Sequence, residues 1–300
     1  MNQTLNGIRR ILITILVAMG VGALFIVAIG ENPIDAYAAL FRGAFDGELR
    51  LGTTLAGFTP LLLTSIAFAV AAKAGAFNVG VEGEVFLGGI TAAYIGINWT
   101  FLPKPALYVA CFVGAMVVAA AWALIPAVLR AYYNVNEVCT TILMNTVALY
   151  ITSYLVSGPM SAGTANAQSL PVTVRLYQFM KPSSVNVGMM LSGMLGGMAG
   201  CIEVLGVHGY FLNNFATGLG SNGMLAALIV KNNMVSTPFM AFFLAVLKSG
   251  AMGMQQSTGV PKSLVDTITA VFIIIATMET AFQFTKKRKK KTEEKKEDKA

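Results

Sequence analysis

A polytopic bundle of transmembrane α-helices is the fold class this sequence predicts, and three observations carry it. Hydrophobic residues make up 56% of the chain and charged residues 12%, against about 25% charged in an ordinary soluble domain. Apolar runs recur at roughly the 20 residues that a bilayer-spanning helix needs, enough for about 8–10 spans. Charge is concentrated at one end: nine of the 21 Lys and Arg, and four of the 14 Asp and Glu, fall between Lys286 and Lys299. That tail holds five of the seven net positive charges, so the pI gives no ground for a nucleic-acid partner. We read residues 1–284 as one all-α membrane domain. Residues 285–300 read as a basic, disordered cytoplasmic tail, placed by the positive-inside rule and able to touch anionic membrane lipid.

The elements follow in chain order. Arg9-Arg10 precede an apolar run over 11–30. The run exceeds a signal-peptide h-region, so an uncleaved first span with its N-terminus inside is expected. Residues 31–52 read as a polar link of mixed charge, and 55–72 as a second span containing Pro60. The stretch KAGAFNVGVEGE, 73–84, sets Gly75, Gly80 and Gly83 and two acids between apolar runs. It predicts a broken or re-entrant helix, because irregular backbone at membrane depth needs protein or a water-lined cavity to satisfy it. Spans follow at 85–99, ending on an interfacial Trp99, and at 105–129. Asn136 is placed to cap the next, 136–156, with Glu137 in its first turn.

No span fits 157–184. The run 185–206 carries Gly193, Gly196, Gly197 and Gly200, two overlapping small-residue patterns that permit close helix approach. A Gly/Asn-rich loop over 207–220 holds the only histidine, His208. A short apolar run at 221–230 breaks at Lys231-Asn232-Asn233, and spans at 238–254 and 264–284 complete a count of nine. Cys111, Cys139 and Cys201 all fall in apolar segments and read as small core residues.

The chemistry is sparse. No G-x-x-x-x-G-K-[ST] phosphate loop occurs, no metal-ligand cluster or cofactor motif is present, and one histidine leaves little for a triad. An enzyme is not expected. The informative residues are polar ones in or beside apolar runs, which are costly in lipid and commonly face an aqueous path. We take Phe77, Asn78, Glu82, Glu137, Asn145 and Glu203 as candidate substrate-pathway residues. Each has a structural alternative: Glu137 as a helix-start acid, Glu82 at the interface, Glu203 near a span end, Phe77 packed on a neighbouring helix. Asn78 and Glu82 stand out because discontinuous helices build substrate sites in transporters.

Four segments, GAFNVGVEGE (75–84), NEVCTTILMN (136–145), IEVLGVHGYF (202–211) and TGVPKSLVDTI (258–268), resemble the permease subunit of bacterial nucleoside and simple-sugar ABC importers. That family also serves ribose and branched-chain amino acids. The FNVGVEGE and IEVLGVHG forms are similar to the nucleoside branch. The resemblance implies a bacterial cell-membrane permease that forms the translocation path with a second, related permease. It further implies a cytoplasmic ABC ATPase with two nucleotide-binding units and an extracellular substrate-binding lipoprotein.

One departure stands out. The family places a further span and a cytoplasmic ATPase-docking loop between the fifth span and the one ending in IEVLGVHG. Here the residues after Pro171 run almost directly into Val185, so that span and loop are expected to be missing. The leading reading is therefore an importer permease for a neutral nucleoside. The alternatives are a gradient-driven secondary transporter and a non-transporting remnant of a permease.

Overall fold

The computed structural model describes residues 2–73, 76–175, 195–261 and 263–271. They are overwhelmingly helical, and the only strand-like pairing among them is two isolated β-bridges, Ser161 with Ser169 and Gln168 with Leu212. The expected basic tail and the run 185–194 lie outside the described residues. The chain divides into two compact units, 1–43 with 250–300, and 44–249.

In the first unit, α1 (Asn2–Ala28) and the start of α2 (Pro33–Phe45) meet at a bend of 116°. The sequence Gly30-Glu31-Asn32-Pro33 makes it. Gly30 takes φ +88°, the left-handed conformation in which helices commonly end. Asn32 Oδ1 then accepts from Ile34 N at 3.0 Å, and Pro33 opens α2, where a missing N–H costs nothing. Most of the polar link expected at 31–52 is thus helical. Its charges lie along α2 and at the start of α3, and they mark no irregular loop. The end of α9 (Thr237–Thr258) packs on α2, and a Cβ added to Gly43 would sit 2.8 Å from Gly253 Cα. A helical stretch follows at 263–271.

In the second unit α3 (Glu48–Lys73), α4 (Val81–Asn98), α5 (Lys104–Tyr133) and α6 (Glu137–Ser157) precede α7 (Leu195–Ile202). A π-helical turn, Glu203–His208, continues α7, and α8 (Leu219–Ile229) and the first part of α9 complete the unit. The centre is α4, apolar on all faces beyond its first turn and buried along most of its length, as a helix enclosed by others must be. Gly96 lies by Cys111 and Gly114 by Thr91, so α5 runs antiparallel to α4. Gly80 lies by Thr141 and Gly83 by Asn145, so α6 runs parallel to it. Gly196 meets Glu84 and Gly200 meets Val85, so α7 is parallel too.

Helices in lipid gain little from hydrophobic sorting and associate through close van der Waals contact. Small residues provide it here. A Cβ on Gly88 would enter the Gly197 backbone, and one on Gly200 would enter the Val85 carbonyl. The remaining core is apolar, with Phe86, Phe211, Leu205 and Met198 fully enclosed. Val109, Val113 and Val117 of α5 and Leu143, Val147 and Tyr154 of α6 are exposed, as lipid-facing side chains would be.

The fold class is the all-α membrane bundle the sequence predicts, with the break near 73–84 in place. Four described helices are long and apolar enough to cross a membrane, and five if the bent pair counts as one span. The difference from nine has physical causes. The helix that contains the 85–99 run, α4, starts at Val81 and takes two acids, Glu82 and Glu84, into its first turn, and the run at 221–230 makes a helix of only 11 residues. Parts of two further runs lie outside the described residues. Cys139 corrects the reading of all three cysteines as core: it is exposed on the first turn of α6, while Cys111 and Cys201 are buried.

Candidate functional site

The non-helical backbone over 76–80, between α3 and α4, is held from three sides. Phe77 N donates to Glu137 Oε1 at 2.9 Å. Asn145 grips the segment twice: its Nδ2 donates to Val79 O at 2.9 Å, and its Oδ1 accepts from Gly83 N at 2.8 Å. Asn78 Oδ1 accepts from Gly80 N at 2.9 Å, and its Nδ2 donates to Glu84 Oε1 at 2.8 Å. The first N–H groups of a helix have no intrahelical partner, and Asn145 supplies one from another helix.

Glu82 links two helix starts. It lies in the first turn of α4 and accepts from Gly218 N at 3.0 Å, Ser221 Oγ at 3.0 Å and Ser221 N at 3.4 Å at the start of α8. A carboxylate suits a helix N-terminus, where the peptide dipoles present partial positive charge. Glu137 does the same in α6 while pairing with Arg130 across the turn from α5. Asn134 takes φ 54° in that turn, and Asn136 caps α6 as expected, accepting from Val138 N at 2.9 Å and Cys139 N at 3.4 Å. Phe77 is 37% exposed and makes an edge-to-face contact with Phe68, centroids 5.1 Å apart.

Five of the six candidate residues thus surround one break: Phe77, Asn78, Glu82, Glu137 and Asn145. Glu203 does not join them. It lies in the π-helical turn with His208, Nε2 to Oε2 3.5 Å, because π geometry aligns residues five apart. That pair belongs to the opposite end of α4, where Arg175 Nη2 donates to Val207 O at 3.1 Å and Thr173 N donates to Gly96 O at 3.1 Å.

A cavity of about 210 Å³ opens beside the break. Its walls are Ala67 and Val70 of α3, Ala119, Ala120 and Ala123 of α5, and Leu195, Gly196 and Gly197 of α7, with Asn78 and Glu84 as its polar groups. Glu84 stands beside Glu82 as an informative acid in the sequence, with an interfacial place as its structural alternative, but it is not one of the six candidate residues. It is 7% exposed, and it fits only because Gly196 has no side chain: a Cβ there would stand 2.7 Å from Glu84 Oε2. The FNVGVEGE pattern held a signal for it in two acids two residues apart, which a helix start splits between different faces.

These features define a multi-pass helical membrane protein with an interrupted helix beside a small polar cavity. A family model described as the permease component of a branched-chain amino acid transport system matches residues 50–180. A glucose ABC transporter permease protein of Haloferax volcanii is 30% identical, over 87% of this chain and 85% of its own. The chain belongs to this family of ABC-importer permeases and is a multi-pass protein of the cell membrane. A guanosine ABC transporter permease protein of Bacillus subtilis is 28% identical, over 93% of this chain and 96% of its own. A nucleoside ABC transporter permease protein of Lactococcus lactis is 26% identical, over 91% of each. No solved structure matches.

The three alignments are longer than the part of this chain that enters them. They run over 323, 338 and 335 positions, to which this chain contributes 87%, 93% and 91% of its 300 residues. In each, about 60 positions therefore have no residue of this chain opposite them.

Proposed function

We propose that this chain is the permease subunit of an importer for neutral nucleosides. It would form the path with a second permease, take substrate from an extracellular binding lipoprotein and be driven by a cytoplasmic ATPase. The observation that supports this best is the likeness, over more than nine-tenths of both chains, to permeases named for guanosine and for nucleosides. The surroundings of the break agree with it. Among the described residues the cavity presents an amide and a carboxyl group and no Lys or Arg, so none of these would hold a phosphate. Phe77 and Asn78 are the proposed substrate contacts. Glu82, Glu137 and Asn145 are proposed as positioning residues, since their polar atoms hold the broken backbone, and Glu203 as a residue of the far end of the path.

Competition decides the class. Uptake of labelled guanosine or adenosine by cells carrying the complete importer should be inhibited by unlabelled nucleosides and not by glucose, ribose or leucine. Inhibition by glucose alone would turn the reading toward the sugar permease of Haloferax volcanii. A second reading, a permease uncoupled from its ATPase, is favoured by the short run from Pro171 to Val185, which leaves no room for the further span and docking loop that the family resemblance implies.

A further inference from the structure

We infer that the cavity beneath Glu84 and Asn78 binds the hydrogen-bonding edge of a nucleobase; this rests on the nucleoside reading above and deepens it. The argument is one of uncommitted polar atoms. Asn78 Oδ1 is occupied by Gly80 N, which fixes the orientation of the amide and leaves Nδ2 toward Glu84. One N–H of Nδ2 is used on Glu84 Oε1, and the other is free to donate. The bond from Asn78 uses Glu84 Oε1, and no hydrogen bond to Oε2 is formed among the described residues. Glu84 lines the cavity, so Oε2 is open to a donor placed there.

The site therefore offers one acceptor and one donor side by side. A base edge carries the complement: an amino or lactam N–H next to a ring nitrogen or carbonyl. Amide and carboxylate side chains read such edges in other settings, amides on adenine and carboxylates on the cytosine amino group. The other lining residues are apolar and mostly small, alanines and glycines with Val70 and Leu195, and suit the faces of a ring. A sugar hydroxyl could satisfy either group singly but has no flat face to lie against these walls.

The test uses membranes with the complete importer, in which Ala120→Cys is introduced into a chain carrying Cys139→Ser. Adenosine should slow labelling of the new thiol at least fivefold and ribose should not, and Glu84→Gln should remove the protection. In parallel, Glu84→Gln should raise the half-saturating concentration for adenosine uptake about tenfold. Ala123→Leu, which fills the cavity and leaves the hydrogen bonds alone, should do the same. Nucleoside uptake with no protection, and with half-saturation unchanged in both variants, would overturn this site and leave the proposed function standing. Equal protection by ribose would overturn the assignment to a base. Loss of all nucleoside competition in the parent importer would overturn the functional reading, and this inference with it.

Discussion

Asn145 shows how a single side chain can replace regular structure. It stands mid-helix in α6 and gives its whole amide to the backbone of the break, accepting from Gly83 N and donating to Val79 O. An alanine there leaves a helix-start N–H and a carbonyl without partners, at roughly 1–3 kcal/mol for each group left buried. Asn145→Ala should therefore lower the thermal unfolding midpoint of the detergent-purified chain and reduce its amount in the membrane. Asn145→Asp, which keeps the acceptor for Gly83 N, should lose less. Equal stability of Asn145→Ala and the parent would show that the break is held mainly by Glu137 and Glu82. Glu82 invites a milder expectation. Replacing its carboxylate by an amide in Glu82→Gln keeps one acceptor for Gly218 N and Ser221 but removes charge from two helix starts. The loss should be about 0.3–1 kcal/mol, less at high salt, read in the same unfolding assay.

Between elements, the decisive contact is α7 on α4, and glycine makes it. The same substitution should have opposite signs at two positions. At Gly200 an added methyl would meet the Val85 carbonyl and Gly89 N, main-chain atoms that cannot move aside. Gly200→Ala should thus separate the helices, at a cost of about 1–3 kcal/mol or more. At Gly57 in α3 a Cβ meets nothing within 4 Å, and alanine there should be neutral or stabilising by up to about 1 kcal/mol. Comparing the unfolding midpoints of the two variants checks this, and an equally tolerated Gly200→Ala would contradict the close approach. The sequence displayed the small-residue pattern at 196–200 but could not name its partner. Only the packing shows that the partner is α4, with Gly88 and Val85 at the contact.

For the molecule as a whole, the helix directions give a sidedness that labelling can test. The α5–α6 turn at Asn134 lies with the break, through the Glu137 contact to Phe77. Trp99 and residues 158–175 lie at the other end of α4, where Thr173 bonds Gly96. Counting crossings from a cytoplasmic Arg9-Arg10 puts the break inside, at the end where α3 closes on Lys73 and α5 closes near Arg130. Asn134→Cys, in a chain carrying Cys139→Ser, should react with an impermeant thiol reagent from the cytoplasm only, and Gly163→Cys from outside only; labelling of both from one side would refute this arrangement. The short run from Pro171 to Val185 bears on coupling. If the ATPase-docking loop that the family resemblance implies is missing there, the ATPase should co-purify poorly with this chain and ATP-driven uptake should be weak. Normal ATP-driven uptake through this 300-residue form would place coupling in another cytoplasmic connection, such as the turn from Arg130 to Asn136. What the sequence determined by itself was the membrane class, the all-α fold, the break at 73–84, the Asn136 cap and the family. Each of these is local: composition, the length of apolar runs, capping residues and short motifs are all read within a few turns of chain. Tertiary structure decided the rest. Five of six candidate side chains surround one break and Glu203 stands apart, because Asn145 and Glu137 reach their partners from another helix, more than 60 residues away in the first case. It also decided that Glu84 lines the cavity, since its room exists only where Gly196 of α7 crosses α4. No pattern within either helix encodes which of the other's residues it will face.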